Sequence, residues 1–191
     1  MRNIVFDLDD TLWHLNKKAS ELTGINFNKL KTFITVENPL LTEEEKTKLL
    51  DIYGNPILWN DIEWIDGAKS IYSLEQLADD IRIYIISNCM NQQVADYKRS
   101  FLSKEFGIPD DQIILNVSSS LKKKKMMDDV YILIDDSPYN VIDSKAKYTI
   151  IPNKPWNQNV ENSNTKLLRI DDFNDILNIV RSIILEEGVY N

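Results

Sequence analysis

Ile4-Val5-Phe6-Asp7-Leu8-Asp9-Asp10-Thr11 is the stretch on which the fold turns. Ile4, Val5 and Phe6 are consecutive apolar residues, two β-branched and one aromatic, and read as a short strand buried on both faces. The run ends abruptly in carboxylates. Strands of this kind belong to parallel sheets covered by helices, and such sheets bind ligands beyond the carboxyl ends of their strands. Asp7 and Asp9 are therefore candidate site residues.

Outward from that stretch the pattern repeats. Apolar strands are expected at Ile81 to Ile86, Ile113 to Leu115, Tyr131 to Ile134 and Tyr148 to Ile151. Helices are expected from Ala68 to about Ala78, from about Asn91 to Phe106 with Gly107 as its stop, and from Asp171 to Glu186. Strands alternating with helices predict an α/β fold, a doubly wound parallel sheet of Rossmann-like type. From about Leu15 to Asp66 the pattern is helical instead. Thr42-Glu43-Glu44-Glu45 is a capping box, Asn55-Pro56 ends the helix that follows, and Trp59 and Trp64 mark an aromatic-rich connection to the Asp66-Gly67 turn. The expected division is a catalytic core of 1–15 and 67–191 with a small helical cap, 16–66, inserted after the first strand as a lid.

Composition narrows the chemistry. A chain of 191 residues holds one α/β core plus a modest insertion. The net charge of -8 and pI near 4.7 disfavour a nucleic-acid polymer as partner. A small phosphorylated substrate remains compatible if a basic cluster and a metal ion offset the local field. Cys89 is the one cysteine, which excludes an internal disulfide and a four-cysteine zinc site. His14, the one histidine, excludes imidazole-rich metal sites and reads as a partly exposed loop residue. There is no signal-peptide apolar region and no stretch near the ~18 apolar residues of a membrane span, so a cytoplasmic location without membrane contact is expected.

Polar residues terminate three of the strands: Asp7/Asp9, Ser87/Asn88 and Asp135/Asp136. On an extended turn, Asp7 and Asp9 can face one bound group. One carboxylate can attack phosphorus, and the other can protonate the leaving oxygen and later deprotonate water. A phosphoryl group adds about two negative charges to an acidic site, which calls for a cation. Magnesium suits an all-oxygen ligand set, completed by Asp135-Asp136. Ser87 can donate to a phosphoryl oxygen, and a lysine can neutralise residual charge. Singly, each piece is ordinary: Asp-x-Asp is often a turn, and Lys122 to Lys125 is a solvated charge run. Together, in this order and at strand ends, they point to a phosphate site.

The combination resembles the haloacid dehalogenase superfamily of phosphatases: its first motif matches Asp7-Leu8-Asp9-Asp10-Thr11, its second Ser87 and its fourth Asp135-Asp136. The resemblance implies a haloacid dehalogenase type core, Asp7 as nucleophile, Asp9 as acid/base, and magnesium held by Asp7, the backbone carbonyl of Asp9 and one of the paired aspartates. A narrower resemblance covers nearly the whole chain. Tyr53-Gly54-Asn55-Pro56 through Gly67-Ala68, Lys98 to Gly107, Leu121 to Lys125, and Pro155-Trp156-Asn157 are similar to segments of the 5′(3′)-deoxyribonucleotidases. That family implies Asp136 as the metal-holding member of the pair, Lys98 as the phosphate-neutralising lysine, and Lys124 or Lys125 as a further substrate contact. It also implies Leu15, Phe33 and Tyr53 as base-facing positions, with the two aromatics stacking. The chain departs from the family pattern at Asp10, where glycine is usual, and at Leu15, where an aromatic is usual.

The expected activity is magnesium-dependent removal of phosphate from deoxyribonucleoside monophosphates through an aspartyl-phosphate, by a monomer or homodimer. A small phosphatase for sugar phosphates or phosphotyrosine is the alternative within enzymes, and a turnover-free binding protein the alternative outside them. Clustered carboxylates held without a metal to neutralise them count against the last.

Overall fold

The computed structural model describes residues 1–117 and 128–188. Strand β1 (Arg2–Phe6) forms as expected, with Ile4, Val5 and Phe6 wholly buried. Helices α1 (Leu15–Thr23) and α2 (Glu43–Tyr53) follow, then β2 (Ile81–Cys89), α3 (Gln92–Phe106), β3 (Ile113–Val117), β4 (Val130–Ile134), α4 (Pro138–Ile142), β5 (Tyr148–Pro152), β6 (Lys166–Ile170) and α5 (Phe173–Gly188). The strands make one sheet in the order β3-β2-β1-β4-β5-β6, and every pairing is parallel.

This order positions the site. From β1 the chain moves outward to β2 and β3, then returns to the other side of β1 for β4. The switch point thus lies between β1 and β4, where Asp7 follows one strand and Asp135-Asp136 the other; the Asp7 N–H donates to the Ile134 carbonyl at 2.8 Å. Right-handed crossovers place successive connections on one face until the direction reverses. Accordingly, Ile4, Phe6, Ile83, Ile85 and Ile134 share a core with residues of α3 and α5, while Val5, Ile86 and Leu133 pack with Ala146 on the opposite face. Alternate residues of one continuous apolar run serve both cores, which is why the strands show no polar alternation.

Two local features go beyond those expectations. Residues Ala68–Leu77 form a 3-10 helix, not an α-helix. The Ser70 and Ser73 hydroxyls bond back to the carbonyls of Gly67 and Ser70, at 2.7 and 2.6 Å, and compete with regular helix geometry. The sixth strand, β6, stands in a stretch that carried no strand signal. It is an edge strand with Lys166 and Arg169 interrupting its apolar residues, so it lacks the continuous run of the central strands.

Between β1 and β2, α1 and α2 pack on each other and on a 3-10 turn, Pro56–Trp59. The capping box at Thr42 is present in both halves: Thr42 Oγ1 accepts the Glu45 N–H at 3.2 Å, and Glu45 Oε2 accepts the Thr42 N–H at 2.9 Å. Such a cap contributes about 1 kcal/mol. The way in and the way out of this segment are tied together. His14 N–H donates to the Glu63 carbonyl at 3.0 Å, Ile65 N–H donates to the Leu12 carbonyl at 2.9 Å, and the Trp13 and Trp64 rings lie 5.2 Å apart. No helix among the described residues is long and apolar enough to cross a membrane.

Candidate active site

The turn after β1 is tight: Leu12 and Trp13 N–H groups both donate to the Leu8 carbonyl, at 2.9 and 3.3 Å. Asp10 takes up the reversal with φ at 57°, the left-handed region that glycine enters freely and aspartate tolerates. That backbone need accounts for the glycine usual here in the family the sequence resembles. The turn leaves Asp7 facing the end of β4. Carboxylate oxygens of Asp7, Asp135 and Asp136, all buried, lie within 4.8 Å of one another. Thr11 Oγ1 stands 3.4 Å from both Asp7 Oδ2 and Asp136 Oδ1.

The paired aspartates divide their work. Asp135 is turned into the fold, where its Oδ1 accepts the Ser137 N–H at 2.8 Å and its Oδ2 accepts from Asn140 Nδ2 at 3.0 Å. Asp136 faces the cavity. Burial first, then the charges of Asp7, Asp135 and Asp10, push its carboxyl well above the usual carboxylate range, against an opposing pull from Lys154. Burial likewise pushes Asp10 up to about 7, opposed by Lys154 and by the Asn16 N–H that Asp10 accepts at 3.2 Å. Three buried acids that repel each other's charge, all with oxygen donors, fit a hard divalent cation such as magnesium.

Asp9 is engaged on both oxygens. Its Oδ1 accepts from Trp13 Nε1 at 2.8 Å, and its Oδ2 accepts from Lys98 Nζ at 2.6 Å. Lys98 projects from α3, is fully buried, and also donates to Ser87 Oγ at 3.0 Å and the Asn88 carbonyl at 3.2 Å. Its ammonium sits 5.0 Å from the Trp59 ring centroid. Ser87 thus lies behind Asp9 as part of this network, whereas Asn88 and Lys98 line the cavity.

That cavity, about 340 Å³, joins both parts of the chain. Asp7, Asp9, Asp136 and Lys98 line it from the sheet ends, and Leu15, Phe33 and Tyr53 line it from the inserted helical segment. The Phe33 ring rests 5.8 Å from that of Tyr139 in α4, and the Tyr53 hydroxyl donates to Asn16 Oδ1. His14, half-buried at the start of α1, is outside the cavity; burial lowers its pKa. Lys124 and Lys125 lie outside the described residues. Asn16 and Trp156 line the cavity without having been singled out for it in the sequence. For Trp156 the available signal was the Pro155-Trp156-Asn157 triplet. Asn16 had only its place one residue after Leu15.

A family model described as 5′ nucleotidase, deoxy (pyrimidine), cytosolic type C protein matches residues 2–185. No curated protein matches the chain. Among solved structures, the HAD-hydrolase YfnB from Bacillus subtilis, bound to magnesium, is 18% identical with a TM-score of 0.53, over 94% of this chain and 98% of that one. A HAD-superfamily hydrolase of subfamily IA, variant 1, from Geobacter sulfurreducens is 12% identical with a TM-score of 0.52, over 94% and 96%. These two share the fold.

Proposed function

We propose a specific reaction from the premise that this chain belongs to the family of 5′ nucleotidase, deoxy (pyrimidine), cytosolic type C proteins and is a phosphoric monoester hydrolase of the 5′-nucleotidase kind: it removes phosphate from deoxyribonucleoside monophosphates in the cytoplasm. The observation that carries the reading is a single cavity lined by Asp7, Asp9, Asp136 and Lys98 from the sheet ends and by Leu15, Phe33 and Tyr53 from the inserted segment. Its size is that of a small-molecule site. Residues 1–15 and 67–191 would handle phosphate, and the cap, 16–66, would recognise what the phosphate is attached to.

In this reading Asp7 attacks phosphorus as Asp9 gives a proton to the leaving oxygen, forming the Asp7–phosphate bond as the ester bond breaks. Water then attacks phosphorus, Asp9 takes its proton, and inorganic phosphate leaves with Asp7 restored. Asp7 and Asp136 would hold magnesium, which supplies charge neutralisation for the phosphoryl oxygens. Lys98 already donates into the cavity floor, so a bound phosphoryl group would share its charge with Asp9. Asp135 would act from behind, by its hold on Ser137 and Asn140.

The test is a turnover screen over deoxyribonucleotides, ribonucleotides, sugar phosphates and an aryl phosphate, run on wild type and on the Phe33→Ala/Tyr53→Ala double variant. Wild type should prefer deoxyribonucleotides. Aromatic contacts add about 0.5–1.5 kcal/mol each, so the double variant should lose roughly tenfold or more in kcat/KM on nucleotides and change little on the aryl phosphate. Equal loss on both would make the aromatics structural. A preference for sugar phosphates or phosphotyrosine would replace the nucleotide reading with the alternative phosphatase.

A further inference from the structure

A buried metal-binding carboxylate has two oxygens, and the one the metal does not take still needs a partner. Asp136 has such a partner. Trp156 Nε1 donates to Asp136 Oδ2 at 2.9 Å, while among the described residues Asp136 Oδ1 has only a long approach from Thr11 Oγ1, at 3.4 Å. The indole suits the position. It is a donor with no acceptor and no charge, so it can only give its hydrogen to the carboxylate, and it does not compete with a cation as a lysine would.

The segment bearing Trp156 is shaped around this contact. Residues 153–165 link β5 to the parallel β6 without a helix and carry Trp156 over the strand ends. Asn157 is fully buried and locks the turn: its Nδ2 donates to the Asp136 carbonyl and the Pro152 carbonyl, both at 2.9 Å. Its Oδ1 accepts from Lys154 N–H at 3.1 Å and from Arg169 Nη1 at 3.2 Å. Arg169, from β6, also reaches Asn153 Oδ1 at 3.1 Å and the Val160 carbonyl at 3.2 Å. Two consecutive residues therefore grip Asp136, one by its side chain and one by its backbone.

We propose that Trp156 is a positioning residue for magnesium: its indole N–H holds Asp136 Oδ2 and turns Oδ1 toward the cation. The proposal rests on the reading of Asp136 as a magnesium ligand. It also gives the edge strand β6 a role at the site, because Arg169 anchors the turn that carries Trp156.

The experiment is a magnesium titration of wild type, Trp156→Phe and Asp136→Asn, followed by calorimetry and by the indole N–H signals of the ¹⁵N-labelled protein. Phenylalanine keeps the ring in the cavity wall and removes only the donor. Loss of an outer partner of this kind weakens metal binding by about 10–100-fold. Trp156→Phe should show that shift in Kd, and its turnover, lost at low magnesium, should recover as magnesium is raised. In wild type, magnesium should move the Trp156 indole signal, identified by its disappearance in the variant. Asp136→Asn should abolish binding and the shift together. A wild-type Kd in Trp156→Phe, or a Trp156 signal that magnesium leaves in place, overturns the proposal while Asp136 stands as ligand. A wild-type Kd in Asp136→Asn overturns both.

Discussion

Asp7→Asn is expected to abolish turnover, by at least about a thousandfold in kcat, while the fold persists. An amide nitrogen or oxygen in place of the carboxylate is a far poorer nucleophile, and the wall of the cavity is otherwise unchanged. The same substitution should raise the melting temperature of the metal-free protein. Asp7 is 4% exposed and its charge is, after burial, the largest influence pushing the Asp136 carboxyl upward. Removing one of three mutually repelling buried acids relieves part of the cost of holding their charges together. Steady-state kinetics and thermal melts without added magnesium check the two halves. Activity above a tenth of wild type rejects Asp7 as nucleophile; a dead variant that melts lower than wild type makes Asp7 a structural residue.

Lys98→Met should be the next most damaging change. Lys98 is fully buried, and its ammonium is the cation against Asp9 Oδ2 at the cavity floor. Methionine keeps an unbranched apolar stem beneath Trp59 but supplies no charge. Losing a donor aimed at developing phosphoryl charge costs about 10²–10³ in kcat. Breaking a buried ion pair also costs up to about 3–5 kcal/mol of stability, and less here because the Asp9 side chain is 23% exposed. The change should fall on kcat more than on KM, since charge is greatest in the transition state. A kcat within tenfold of wild type would leave Lys98 as the structural partner of Asp9 alone.

The parts of this site that were legible in the sequence are those set by neighbours along the chain. Ile4-Val5-Phe6 running into Asp7 announces a buried strand with an acid at its end, and Tyr131 to Ile134 announces the same for Asp135-Asp136. Gly107 could be read as a helix stop and holds φ at 64°. The capping box at Thr42 could be read because both of its bonds join residues three apart. What resisted reading depends on contacts across the fold. Asp135 and Asp136 are adjacent and chemically alike, and only the turn into α4, where Ser137 and Asn140 take the first, separates their directions. Ser87 can be read as a strand-end hydroxyl, but its bonds to Asp9 and Lys98 join residues far apart along the chain. Trp156 lies twenty residues from Asp136, on a connection whose path is decided by Asn157 and Arg169.

The most direct test of the covalent mechanism uses Asp9→Asn with a labelled aryl phosphate. An aryloxide leaves without a proton, so this variant should still form the Asp7–phosphate bond, but without a base for water it should then stall. Rapid acid quenching should reveal a burst of about one equivalent of phenol per enzyme and label on the peptide containing Asp7. Phosphate release with no burst and no label on Asp7 would contradict nucleophilic catalysis by that residue.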